Sequence, residues 1–438
     1  MSGFQRVLLL GTGPTSIQLA VTLKKQLNCD VGISGRESVR SEKVFKALES
    51  SNHLIQASVQ NEQHQAMAGQ CYVDKVFKGY ETIQGDWDTL IFSVTTDAYM
   101  DVLKQISDDL LKQVKCVVLV SPTFGSNRLV KNYMRRMNPN VEIISFSTYF
   151  GDTRWIENQP RNHVLTTGVK KKIYLGSTHY SSENVDQLRQ LYERLGIALE
   201  IMKYPIEAET RNISLYVHPP LFMNDFSLRV IFGELETKKY VYKIYPEGPI
   251  TQNLIEEMLA HWKEIITIIE KMNIQSINLL KFMIDDNYPV RQENLSRKDI
   301  ESFNHLPSIH QQYLLYIRYT SLLIDPFSEP DEQGKYFDFS AVPFRKVFVN
   351  KEGYWDIPRM PKEDYYRVKI IQGIANYLKV DCPTIDRFIE RYERKIDQFA
   401  RSHSGELRSH AFTAQNFEED LQMICDEFEK GYKEKSKS

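Results

Sequence analysis

Gly11-Thr12-Gly13-Pro14-Thr15-Ser16 directly follows the apolar stretch Arg6–Leu10 and has the spacing GxGxxS. That pattern suits the phosphates of a dinucleotide. Gly11 permits a tight turn. Gly13 lacks the Cβ that would hold a pyrophosphate off the backbone. Ser16 is small enough for a helix to pack closely on a strand. A helix opening at Pro14 and Thr15 would present N–H groups and partial positive charge to the phosphates. Further on, the chain reads Ser34-Gly35-Arg36, with Arg40 and Lys43 just beyond. A carboxylate there would bind a ribose hydroxyl, whereas cations pair with a 2′-phosphate. Residues 11–16 with Arg36, Arg40 and Lys43 therefore read as an NADP(H) site.

Such a site needs a βαβ unit to position it. Arg6–Leu10 reads as a buried strand. Thr15–Leu27 reads as a helix with Ile17, Leu19, Ala20 and Leu23 on its apolar face, and Asp30–Ser34 as a second strand. Ser41–Leu48 reads as a helix capped by Ser41. Strands are expected at Thr89–Val94, Cys116–Val120, Val141–Phe146, Ile173–Leu175 and Ala198–Met202, with helices over Ala98–Leu111 and Asn184–Leu195. Near-continuous apolar strands separated by helices indicate a parallel sheet covered on both faces.

After Lys203 long helical patterns take over. In Thr251–Met272, Leu254, Met258, Trp262, Ile265 and Ile269 fall on one stripe, and Asp364–Leu378 and Thr384–Phe399 are similar. Ile324–Val349, with a turn at Asp331–Gly334, suggests a hairpin, and the polar tail Lys430–Ser438 should fray. The expected fold is α/β, with a Rossmann-type parallel sheet over 1–203 and a mainly α-helical substrate and catalytic domain over 204–438.

Composition excludes several classes. The 438 residues exceed one compact core. A net charge of −2 gives no global pull toward nucleic acid or anionic lipid. The start holds too short an apolar run for a leader, and no stretch is long enough for a membrane span. The five cysteines form no CxxC pair and the histidines show no HExxH pattern. No protein-bound metal, no nucleic acid and no membrane partner is expected, and the location should be cytoplasmic.

Several longer segments carry a resemblance. These are Ser121–Ser126 (SPTFGS), Phe146–Arg154 (FSTYFGDTR), Asn162–Lys172, Arg211–Leu228 (RNISLYVHPPLFMNDFSL), Tyr245–Thr251, Ile324–Phe344 and Ile357–Tyr366 (IPRMPKEDYY). Together they resemble the opine metallophore dehydrogenases over nearly the whole chain. The resemblance implies NADPH-dependent reductive condensation of a histidine-derived aminobutyrate with a 2-oxo acid, giving a nicotianamine-like metallophore. It also implies a homodimer.

On that reading His218 is the general acid/base, since carbinolamine and imine chemistry needs a group titrating near neutrality. The following Pro219-Pro220 suggests an extended backbone at His218. Asn224 and Asp225 could orient it or the substrate. Arg154, Arg211 and Lys170–Lys172 are candidates for the substrate carboxylates. Arg154 is favoured, in a loop after a strand. Asp152 in the same loop would repel a second carboxylate, favouring pyruvate over 2-oxoglutarate. Asp325, Asp338 and Glu247 could steady His218 or bind amines, and each also suits a cap or turn. Three alternatives stay open: the same reaction with 2-oxoglutarate, a dehydrogenase reducing a free ketone, and a non-enzymatic NADP(H) sensor.

Overall fold

A computed structural model describes residues 3–287, 289–291, 293–321, 332–334 and 340–435, with the backbone alone at 158 and 429–435. The chain divides into two compact units, 1–212 with 422–438, and 213–421.

The first unit contains strands β1 (Arg6–Leu10), β2 (Asp30–Gly35), β3 (Leu54–Val59), β4 (Gly69–Tyr72), β5 (Lys75–Lys78), β6 (Thr89–Phe92), β7 (Cys116–Leu119), β8 (Glu142–Phe146), β9 (Gly151–Trp155), β10 (His163–Val169), β11 (Lys172–Ser177) and β12 (Ala198–Met202). Its helices up to Asn212 are α1 (Pro14–Leu27), α2 (Val39–Ser50), α3 (Tyr99–Gln105), α4 (Asp108–Gln113), α5 (Ser126–Arg135), α6 (Glu183–Arg194) and α7 (Pro205–Glu209). One eight-stranded sheet has the order β12-β11-β8-β7-β6-β1-β2-β5. The six strands from β8 to β5 run parallel; β11 pairs antiparallel with β8 and turns the last two strands around. The strand order reverses at β1, which opens a crevice beyond the carboxyl ends of β1 and β6.

A second sheet, β4-β3-β10-β9, was not foreseen. It changes the environment of α1, which packs against both sheets. Eight consecutive residues, Ser16–Leu23, are therefore buried, not one face only. The polar ones have partners. Gln18 donates to Met67 O (2.9 Å) and accepts from Thr166 Oγ1 (2.8 Å). The C-terminal segment also belongs to this unit, where the sequence suggested the second domain. Asn132 donates to Met423 O at 2.9 Å and Arg135 to Glu427 Oε2 at 2.9 Å, while Arg128 covers the Phe428 ring. These three residues of α5 share one helical face.

The second unit contains α8 (Ser214–Phe222), α9 (Asp225–Ile231), α10 (Gln252–Lys271), α11 (Leu279–Asp285), α12 (Arg297–Ser302), α13 (Ser308–Thr320), the short pair β13 (Phe348–Val349) and β14 (Trp355–Asp356), α14 (Arg359–Tyr377) and α15 (Pro383–Ser402). A last helix, α16 (Glu418–Lys435), joins the first unit from Gln422 onward. The stripe Leu254, Met258, Trp262, Ile265 and Ile269 of α10 is buried, and α8, α13, α14 and α15 pack around that helix. Of the hairpin expected over Ile324–Val349, residues 324–331 and 335–339, with Asp325 and Asp338, lie outside the described residues. Among the described residues, no helix is long and apolar enough to cross a membrane.

Candidate functional site

In the first unit the glycine turn sits at the carboxyl end of β1. The Gly11 N–H donates to Ser34 O of β2 at 2.7 Å, and its φ of +128° is one that glycine tolerates. A Cβ on Gly13 would meet no heavy atom within 4 Å. The space over that backbone is open. Thr12 packs on Gly35 at the end of β2; a Cβ on Gly35 would lie 2.5 Å from its methyl. Pro14 opens α1, where its missing N–H breaks no bond. Helix α1 has no acidic residue in its first turn, including Thr15, and no side-chain cap. Ser16 Oγ lies 2.6 Å from Ser93 Oγ, which closes the crevice floor between β1 and β6. These residues fit a dinucleotide, and the small side chain at Ser16 suits that close approach.

The second strand ends at Gly35, and Arg36, Arg40 and Lys43 follow, all exposed. Ser38, not Ser41, caps α2: its hydroxyl accepts from the Ser41 N–H at 3.2 Å. The Ser41 hydroxyl instead donates to Arg36 O at 2.6 Å and fixes where that arginine leaves the strand. Arg36 and Lys43 make no ion pair among the described residues.

Asp152 and Arg154 lie on β9, in the second sheet, and not in a loop. They share a face because strand side chains alternate. Arg154 Nη2 donates to Asp152 Oδ2 at 2.8 Å and to Thr167 Oγ1 at 2.8 Å. Both charges are exposed and offset each other. Arg211 is buried and donates to Thr210 Oγ1 at 3.1 Å. Lys172 pairs with Glu200 at 2.9 Å.

In the second unit His218 lies inside helix α8, although Pro219 and Pro220 suggested extended backbone. A helical Pro219 leaves Leu215 O without its usual donor. His261 Nε2, from α10, meets that carbonyl at 3.0 Å. Burial holds His261 neutral, with its pKa pushed down to about 4. Helix α8 ends at Phe222, and Asn224 just beyond it donates through Nδ2 to Pro220 O (2.8 Å) and Leu221 O (3.1 Å) while its Oδ1 caps α9 by accepting from the Ser227 N–H. Asn224 is thus a capping residue that closes the helix bearing His218. Asp225 is exposed and faces Arg391 and Arg394 at 3.6 and 3.8 Å. Glu247 is exposed and pairs with Lys243.

The acidic neighbour of His218 is Asp364, from α14. Nδ1 and Oδ1 are 3.6 Å apart. Asp364 is fully buried and also receives Arg367 Nη1. Arg367 reaches Glu363 at 3.5 Å, and Glu363 receives Arg359 as well. Burial alone would raise Glu363, but Arg359 and Arg367 outweigh it and hold its carboxyl below the usual range. The group carries two carboxylates and two guanidinium ions around one imidazole. Among the described residues, buried Asp364 Oδ2, His218 Nδ1, Arg367 Nε and His261 Nδ1 have no hydrogen-bond partner. Unsatisfied buried polar atoms concentrated in one place are a mark of a working site. Asp364 falls within the segment Ile357–Tyr366, but no spacing in the sequence links it to His218.

Residues 5–428 match the family model for staphylopine dehydrogenase. The chain belongs to the staphylopine dehydrogenase family. It is 46% identical to staphylopine synthase of Staphylococcus aureus, over 96% of this chain and 97% of that one. It is 34% identical to pseudopaline synthase of Pseudomonas aeruginosa, over 90% of each chain. A structure of yersinopine dehydrogenase with NADP+ bound superposes with a TM-score of 0.89 at 29% identity, covering 98% and 99% of the two chains. An octopine dehydrogenase structure with NADH and pyruvate, at 15% identity and a TM-score of 0.59 over 89% of each chain, shares the fold.

Proposed function

We propose that the chain is an NADP(H)-dependent oxidoreductase that reductively condenses an amine with a 2-oxo acid, taking a histidine-derived aminobutyrate and pyruvate. The observation that carries this reading is the pairing of His218 with buried Asp364 in a chain whose first unit holds an open glycine turn followed by three cations.

The reaction needs proton movement at two stages. The amine adds to the carbonyl and water leaves, giving an imine. Hydride and a proton then convert the imine to a secondary amine. Bound NADPH supplies the hydride. His218 supplies and accepts protons at the departing oxygen and the amine nitrogen, and Asp364 faces its Nδ1. Gly11, Thr12, Gly13, Thr15 and Ser16 hold the pyrophosphate. Arg36, Arg40 and Lys43 hold the 2′-phosphate. Arg154 pairs with a substrate carboxylate, and Asp152 beside it disfavours a second one on the oxo acid.

The test is an omission assay. NADPH oxidation should require the amine and the 2-oxo acid together, and His218→Gln should abolish it while NADPH binding persists. Oxidation with oxo acid alone would show ketone reduction instead. Full turnover by His218→Gln would remove His218 from the mechanism.

A further inference from the structure

We infer that His261 is a positioning residue for the reaction: its Nε2–H replaces the amide that Pro219 lacks, and so holds the helix that presents His218. This rests on the reading of His218 as the proton-transfer group.

The geometry supports it from three sides. Pro219 cannot donate to Leu215 O, the carbonyl one turn earlier. His261 Nε2 occupies that place at 3.0 Å. An acceptor carbonyl fixes the tautomer, because Nε2 must carry the proton. His261 is fully buried, its ring edges onto Phe388 at 5.5 Å, and Nδ1 has no hydrogen-bond partner among the described residues. The neighbouring Arg367 opposes a second proton, and Arg367 also grips Asp364. The same histidine thus touches the helix of His218 and lies beside the cation that anchors its acidic neighbour. Without the donor, α8 would carry an unsatisfied buried carbonyl and would be free to shift, and displacement of a catalytic group by about 1 Å is enough to lose about a hundredfold in rate.

Two variants separate donor from ring. His261→Phe keeps the ring and removes the N–H. His261→Gln removes the ring and places an N–H near the position of Nε2. The expected result is a kcat about a hundredfold lower for His261→Phe, with a shifted pH profile of kcat/KM and an unchanged NADPH Kd. His261→Gln should recover kcat to within about tenfold of the parent. Nitrogen NMR of the unmodified, histidine-labelled protein should show His261 neutral and protonated at Nε2 from pH 8 to pH 5. A parental kcat and profile for His261→Phe, equal losses in both variants, or a proton on Nδ1 would each overturn the inference. His218→Gln serves as the control. If it turns over normally, the reading of His218 fails, while the NMR tautomer still decides whether the bond from His261 exists.

Discussion

His218 Nδ1 lies 3.6 Å from Asp364 Oδ1, and Arg367 donates to that same carboxylate oxygen. The contact is longer than a hydrogen bond, as catalytic contacts often are before substrate binds. Asp364→Asn keeps the shape and removes the charge. It should lower kcat about 10–100-fold and leave the NADPH Kd within about twofold, because a positioned acid/base contributes about 10²–10⁴. Stopped-flow reduction and cofactor titration check both. An unchanged kcat would detach Asp364 from the chemistry.

The cations after β2 set cofactor choice. Arg36→Ala should raise the Kd for NADPH about 10–100-fold and barely alter that for NADH, since a charge-assisted bond is worth about 1.5–3 kcal/mol. Added salt should narrow the gap, because Arg36, Arg40 and Lys43 are exposed. Fluorescence titration of both cofactors at two ionic strengths measures it. Equal weakening of NADPH and NADH would argue against a 2′-phosphate contact.

Asp152 is predicted to govern oxo-acid choice, with its strength moderated by Arg154. Two like charges about 5 Å apart repel by about 3 kcal/mol at an effective dielectric of ~20. Exposure of both side chains and the 2.8 Å pair reduce this. Asp152→Ala should therefore raise the kcat/KM ratio of 2-oxoglutarate to pyruvate by about tenfold. Competition assays with product mass spectrometry give the ratio directly, and an unchanged ratio refutes the role.

Two buried groups give the units opposite responses to pH. Glu209 accepts hydrogen bonds from Gly125 N, Asn127 N, Asn127 Nδ2 and Ser145 Oγ at 2.7–2.9 Å, yet burial pushes it up to about 7. Its folded value lies above the unfolded 4.5, so its contribution is full below pH 4.5 and declines as pH rises through about 7. His261 is the reverse, at about 4 folded against 6.5 unfolded, so its contribution is full above pH 6.5 and is lost as pH falls through about 4. Each change amounts to about 3 kcal/mol over its window. Denaturant unfolding of Glu209→Gln and His261→Phe against the parent, from pH 4.5 to 7.5, should show difference slopes of opposite sign. Slopes of the same sign would contradict the assignment.

Local patterns carried much of the first unit. β1 spans the residues its apolar run marked, because a strand buried on both faces is written as a continuous apolar run. The expected helix over Ala98–Leu111 is two, since the Ser107 hydroxyl accepts from the Leu110 N–H and starts α4 afresh. The second sheet was invisible because its strands are half-buried and lack continuous apolar runs, such as Gly69–Tyr72. His218 stood out as a candidate by residue type, but its backbone is helical and not extended. Proline normally ends a helix, and the donor that compensates comes from α10, distant in sequence. Asp364 was missed for the same reason: only packing of α14 on α8 brings it to His218.

In the proposed reaction, hydride reduces an imine formed from the amine and the oxo acid. The most direct measurement follows deuterium from NADPH labelled at its transferable position, in a reaction holding both substrates. The expected result is one secondary-amine product per NADPH consumed, one mass unit heavier than the unlabelled product, with deuterium on the former carbonyl carbon. Deuterium in a 2-hydroxy acid, or NADPH oxidation without a joined product, would contradict it.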